Sequence, residues 1–274
     1  DPRFRDWETD QEKTRANLCA LSRPAGVEDV MRALLSGYFA GRDLDYYVVK
    51  GSGMEQYVPR LRKLFRRPKF IHIVRDPRGV YNSQSKAVST HTGLPMANYP
   101  ISGSKRWLKL VRKLNGERGG DFLEIRYEDL VGDVEGIMRR VCGFLQSSGL
   151  REPSFDQDIR ADGYYERIPE NQRRVHANVE AGVALSKRSS AWREEISETD
   201  IHLIQTLAAG EMSRLGYEPV TVSRAAHGPA RIMLRILEAR LVAAVHGLRR
   251  YAVYIANPHL LRERIIARFF NAKY

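Results

Sequence analysis

Arg75 directly follows an apolar run, Phe70-Ile71-His72-Ile73-Val74, and Ser83 follows Arg75 by eight residues. A short run rich in β-branched and aromatic residues reads as a strand. A strand delivers the residue after it to the carboxyl edge of a sheet, where open α/β folds bind their ligands. Pro77 in the intervening Arg75-Asp76-Pro77-Arg78 cannot continue a strand ladder and turns the chain. Ser83 then falls in the first turns of the next helix. A guanidinium and a hydroxyl brought together beside a helix N-terminus make a phosphate site. The plainer alternative pairs Arg75 with Asp76 or Asp129 and leaves Ser83 facing water.

The surrounding sequence supplies the elements needed to position these groups. Tyr46-Tyr47-Val48-Val49-Lys50 is a second β-prone run, stopped by Gly51-Ser52-Gly53. Phe122-Leu123-Glu124-Ile125-Arg126-Tyr127 is a third, running into Glu128-Asp129-Leu130. Helical patterns cover residues 7–22, 28–39, 54–65, 80–90, 107–114, 134–145 and 199–215, with Gly216 as a stop. Short strands separated by helices predict right-handed crossovers and a parallel sheet. Trp107 shares a helical face with Leu110 and Leu114 and reads as core; His72 alternates with Ile71 and Ile73 and reads as structural. Residues 151–190 are polar and aperiodic, a covering loop. Residues 232–253 and 260–270 read as two basic, apolar-rich helices.

With those residues in view, the chain resembles the sulfotransferases that use 3′-phosphoadenosine-5′-phosphosulfate (PAPS). Arg75-Asp76-Pro77-Arg78 with Ser83 is similar to that family's 3′-phosphate-binding motif. Val48-Val49-Lys50 is similar to its second strand, which ends in a lysine near the sulfonate. Arg126-Tyr127-Glu128-Asp129-Leu130 is similar to its Tyr-Glu-Asp-Leu segment, where the tyrosine contacts the adenine region. Ser186-Lys187-Arg188-Ser189-Ser190-Ala191-Trp192-Arg193 resembles the basic loop that precedes a Trp-Arg helix start. The resemblance covers residues 45–215. It implies a sulfotransferase with Arg75, Ser83, Tyr127, Lys187 and Arg188 holding PAPS, no metal, and Lys50 stabilising charge at the leaving group. The fold implied is α/β, a P-loop-NTPase-like parallel sheet flanked by helices. It would occupy residues 1–220, with residues 221–274 as a basic helical extension.

The pattern departs from the family in two places. A strand and Gly-rich 5′-phosphosulfate loop near the N-terminus is missing, and the chain opens abruptly at Asp1, as a fragment would. Gly51-Ser52-Gly53 belongs to the second strand and reads as a tight turn. The position that holds a catalytic histidine in some members, two after the lysine, is Ser52, whose hydroxyl cannot act as a general base near neutral pH. His91, in the loop after the Ser83 helix, is the remaining candidate base beside Glu55; a solvent-facing His91 and a helix-start Glu55 are the plain alternatives.

A formal net charge of +12 attracts polyanions without choosing among them. No clustered aromatic and basic surface or nucleic-acid motif accompanies it, so no nucleic-acid partner is expected. An inactive, weakly nucleotide-binding relative is the nearer rival to an enzyme. Two cysteines are too few for a disulfide framework. No apolar run reaches the ~20 residues that span a bilayer. Residues 221–274 carry ten Arg or Lys against Glu238 and Glu263, a net of +8. They suit contact with an anionic membrane, a dimer contact, or (the preferred reading) a packed helix with a solvated basic face. The acceptor expected is a carbohydrate or lipid hydroxyl or an amine. The location expected is the bacterial cytoplasm, peripheral to membrane, with the Golgi lumen as the alternative.

Overall fold

The computed structural model describes residues 10–22, 24–38, 48–50, 54–65, 67–87, 99–145, 189–258 and 262. Helix dominates them. Two strands, β1 (Phe70–Val74) and β2 (Phe122–Arg126), pair in parallel as a two-stranded sheet. In chain order the helices are α1 (Gln11–Cys19), α2 (Val27–Tyr38), α3 (Val58–Leu64), α4 (Pro77–Lys86) and α5 (Pro100–Asn115). They continue with α6 (Tyr127–Gly132), α7 (Val134–Leu145), α8 (Trp192–Glu195), α9 (Glu198–Arg214) and α10 (Pro229–Ala256). The chain forms two compact units, residues 1–72 with 113–124, and residues 73–112 with 125–274, the division passing through both strands.

In the first unit, α1 and α2 meet where Gly37 lies against the buried Thr14; a Cβ on Gly37 would fall 1.8 Å from the Thr14 hydroxyl. Arg62 of α3 clasps the turn before β2. Its Nε donates to Asp121 at 2.7 Å and its terminal nitrogens reach Glu117 at 2.6 Å and Asp121 at 3.0 Å. The Arg62 hydrogen bond holds the Asp121 carboxyl below the usual carboxylate range. His72 faces Glu124 across the strand pair at 3.4 Å, a structural placement.

The run at 46–50, expected as a strand, is not one where it is described. Residues 48–50 carry no regular structure, and Val48 and Val49 are 83% and 54% exposed. Valine favours strands by packing on a pleated, half-buried surface, and these exposed valines lack that packing.

The second unit has the larger core. Val74 at the end of β1 packs with Trp107, Leu108 and Val111 of α5 and with Ala208 and Met212 of α9. Leu215 and Tyr217 complete the cluster. α9 ends in a Schellman motif. Gly216 takes φ 71°, its N–H donates to Ser213, and the Tyr217 N–H donates to the Met212 carbonyl at 2.8 Å. The tyrosine that follows this glycine is thereby turned into the core.

A buried cluster ties α4, α9 and α10 together. Arg235 of α10 grips both oxygens of Asp200 at 2.7 and 2.9 Å, and the Tyr81 hydroxyl donates to Asp200 at 3.3 Å. Burial, then the charge of Asp200, push the Tyr81 phenol up from 10.0 to about 12. The folded chain therefore favours the protonated phenol. This contribution is intact below about pH 10 and is lost as the pH climbs towards 12. Tyr81→Phe is expected to cost ~1 kcal/mol at neutral pH and to flatten the alkaline loss of stability. A denaturant-melt series across that window checks it, and an unchanged pH profile would contradict it.

Candidate functional site

The two strands end side by side, so the residue after each stands at the same edge. After β1 that residue is Arg75; after β2 it is Tyr127, the first residue of α6. The Arg75 guanidinium lies 4.6 Å from the centre of the Tyr127 ring, a cation–π contact. It also lies over the first turn of α4. A Cβ built on Gly79 would fall 3.1 Å from Arg75 Nε. Gly79 thus leaves the space the guanidinium occupies. Ser83 sits four residues further along α4, on the same helical face, and is exposed.

Asp76 and Asp129 each have another arginine beside them. Asp76 pairs with Arg78, whose Nε and terminal nitrogen reach its two oxygens at 2.9 and 2.6 Å. Asp129 is exposed and lies 3.8 Å from Arg126. Arg78 is only 2% exposed. It stacks on the Trp192 ring at 4.0 Å and donates to Gln205 at 2.7 Å. Asp76 also accepts the Arg78 backbone N–H at 2.8 Å and so caps α4. The first turn of α4 is thus capped by a side chain of its own segment. Asp76 and Arg78 offset each other inside the elbow, while Arg75 lies against Tyr127 at the edge.

The backbone of this elbow is fixed from three directions. The Trp107 indole N–H donates to the Arg75 carbonyl at 2.9 Å. Glu128 accepts the Asp76 N–H at 3.1 Å. The Tyr217 hydroxyl donates to the other Glu128 oxygen at 2.9 Å and lies 3.4 Å from the Val74 carbonyl oxygen. Burial, with the Glu128 charge, pushes the Tyr217 phenol well above its ordinary value, so it remains a donor. A guanidinium held against an aromatic face and above a glycine, with a hydroxyl one turn further along the same helical face, is suited to binding an anion in a fixed orientation.

The chain matches the family described as the Sulfotransferase family over residues 3–150, which include Lys50, Arg75, Ser83 and Tyr127. It belongs to the sulfotransferase family. Two curated sulfotransferases are 41% identical to it over 91 residues. Both are named omega-hydroxy-beta-dihydromenaquinone-9 sulfotransferase Stf3, one from Mycobacterium bovis and one from Mycobacterium tuberculosis. The match covers 30% of this chain and 24% of each relative, so it spans about a quarter of their length.

Of the other residues expected to serve a sulfotransferase, Lys50 is exposed on the irregular stretch of the first unit. Glu55 lies in the 3₁₀ turn Met54–Gln56. His91, Lys187 and Arg188 lie outside the described residues. Among the described residues no three metal-ligating side chains cluster. The sequence reading did not pick out Gly79, Glu128 as a bracket, or Tyr217. The one local signal available was Gly216, which marks the helix stop that aims Tyr217.

Proposed function

We propose that this chain binds PAPS and transfers its sulfonate to the hydroxyl of a lipid acceptor. The observation that carries the reading is Arg75, laid over Gly79 and Tyr127 with Ser83 on the same helical face. The donor set suits a phosphate monoester: a forked cation and a hydroxyl, with an aromatic ring alongside for the nucleoside. On this reading the fold is the P-loop-NTPase-like one, with residues 1–220 as the catalytic domain and 221–274 as its extension. The site of action is the cytoplasmic side of a membrane. The acceptor class follows the relatives, whose name specifies a hydroxylated menaquinone.

PAPS supplies a sulfonate already activated by its phosphate leaving group. Arg75 and Ser83 hold the 3′-phosphate, and Tyr127 with Lys187 and Arg188 completes the nucleotide contacts. Lys50 neutralises charge that develops towards the leaving phosphate. His91 accepts the proton of the attacking hydroxyl. The 3′-phosphate is remote from the reacting bond, so its contacts are equally strong before and during transfer. Changes at Arg75 and Ser83 therefore raise KM for the donor more than they lower kcat.

The test is incubation of the protein with radiolabelled PAPS and a panel of lipid alcohols and sugars. Label in the lipid fraction is expected; label in no acceptor would overturn the reading. Gly79→Ala gives a sharper check of the cradle. Alanine favours a helix over glycine by ~1 kcal/mol, so stability should hold or rise. The new Cβ, 3.1 Å from Arg75 Nε, pushes the guanidinium slightly aside, and the Kd for 3′,5′-bisphosphoadenosine should rise about three- to tenfold, the loss of part of one charged hydrogen bond. Unchanged affinity in a stable variant would place the phosphate elsewhere.

A further inference from the structure

α10 is anchored by its first turns and then presents an apolar stripe. Arg235 holds Asp200, and Ala239 is buried. On the opposite face Leu234, Leu237, Leu241, Leu248, Tyr251 and Ile255 recur at spacings of three, four and seven, one side of a helix. All six are exposed, Leu241, Leu248 and Ile255 by 68%, 71% and 75%. At about 100° per residue, Arg231 and Arg249 fall ~80° to one side of Leu241 and Arg240 ~100° to the other. The stripe is therefore edged by guanidiniums on both flanks. α10 holds five arginines against one acid, Glu238, which pairs with Arg235 at 3.1 Å. No helix among the described residues is long and apolar enough to cross a membrane.

We infer that this face of α10 docks the protein on an anionic lipid surface, lying in the headgroup layer with its leucines inward. Charge selects the occupant. Two copies of α10 packed stripe to stripe would bring together two helices of five arginines and one acid each, with Asp200 and Glu238 both engaged by Arg235. An anionic headgroup layer complements both flanks at once, while arginine stems cover the apolar margin and their heads stay at the phosphates. The purpose of the surface rests on the lipid acceptor proposed above; its evidence lies in α10 alone.

The experiment is flotation of the full chain with vesicles of phosphatidylcholine plus phosphatidylglycerol, and with phosphatidylcholine alone. The parent is expected to float with the anionic vesicles at least tenfold better than with the neutral ones. Arg240→Ala and Arg249→Ala should each weaken anionic binding about fivefold. The pair Leu241→Asp and Leu248→Asp should abolish binding to both vesicles. These positions are exposed, so circular dichroism and nucleotide titration without lipid should match the parent and exclude misfolding. A parent that stays soluble beside anionic vesicles, or floats equally with both kinds, overturns the inference. So does a dimer that the leucine pair dissociates without changing flotation, which would make the stripe an interface between copies. Flotation that persists when nucleotide binding fails would sink the sulfonate reading and leave this surface standing.

Discussion

Replacing Arg75 with alanine is expected to weaken binding of 3′,5′-bisphosphoadenosine by roughly 30- to 150-fold, the equivalent of ~2–3 kcal/mol for a charged hydrogen-bond partner. The melting temperature should move little. The elbow is held through backbone groups, by Trp107 on the Arg75 carbonyl and Glu128 on the Asp76 N–H, and these do not involve the guanidinium. The stacking on Tyr127 at 4.6 Å, which the variant loses, is worth ~0.5–1 kcal/mol at a partly exposed site. Binding and stability should separate at this residue. A variant that binds as tightly as the parent would show that Arg75 is not the phosphate ligand described, and one that unfolds would contradict the separation.

Asp76→Ala should do the opposite. It leaves Arg78 buried at 2% exposure without its carboxylate, and an uncompensated buried charge costs ~3–5 kcal/mol. It also removes the cap of α4, ~1 kcal/mol more. For a chain of this size each kcal/mol lowers Tm by about 2–4 °C, so a drop on the order of 10 °C or more is expected. Stacking on Trp192 and the bond to Gln205 position Arg78 but carry no negative charge. Asp76→Asn keeps an oxygen for the Arg78 N–H and should fall between the two. Thermal melts of both variants check this. A loss under ~1 kcal/mol in Asp76→Ala would mean that water or another carboxylate reaches Arg78.

These two residues mark what the sequence could and could not disclose. Spacing and residue type place Arg75, Ser83 and Tyr127 at one edge, because strand ends, a proline turn and a helix start are local features. α7 runs Val134–Leu145, the span its periodicity predicts, for the same reason. The division of labour within Arg75-Asp76-Pro77-Arg78 was not legible. Which arginine turns inward depends on Trp192 and Gln205, more than a hundred residues away. Glu128 read as part of a motif, but its bracket role needs Tyr217, 89 residues on. The Asp200–Arg235 pair is equally non-local, and ties the basic C-terminal helix to α9. The run at 46–50 misled because β-branched content signals a strand only where a surface exists to pack against.

The most direct measurement compares two ligands by titration calorimetry, 3′,5′-bisphosphoadenosine and adenosine 5′-monophosphate, which differ only in the 3′-phosphate. The parent should bind the bisphosphate at least tenfold more tightly, and in Arg75→Ala that ratio should collapse towards one while the monophosphate binds as before. A ratio that survives the loss of Arg75, or a parent that does not distinguish the two nucleotides, would contradict the assignment of this edge as the 3′-phosphate site.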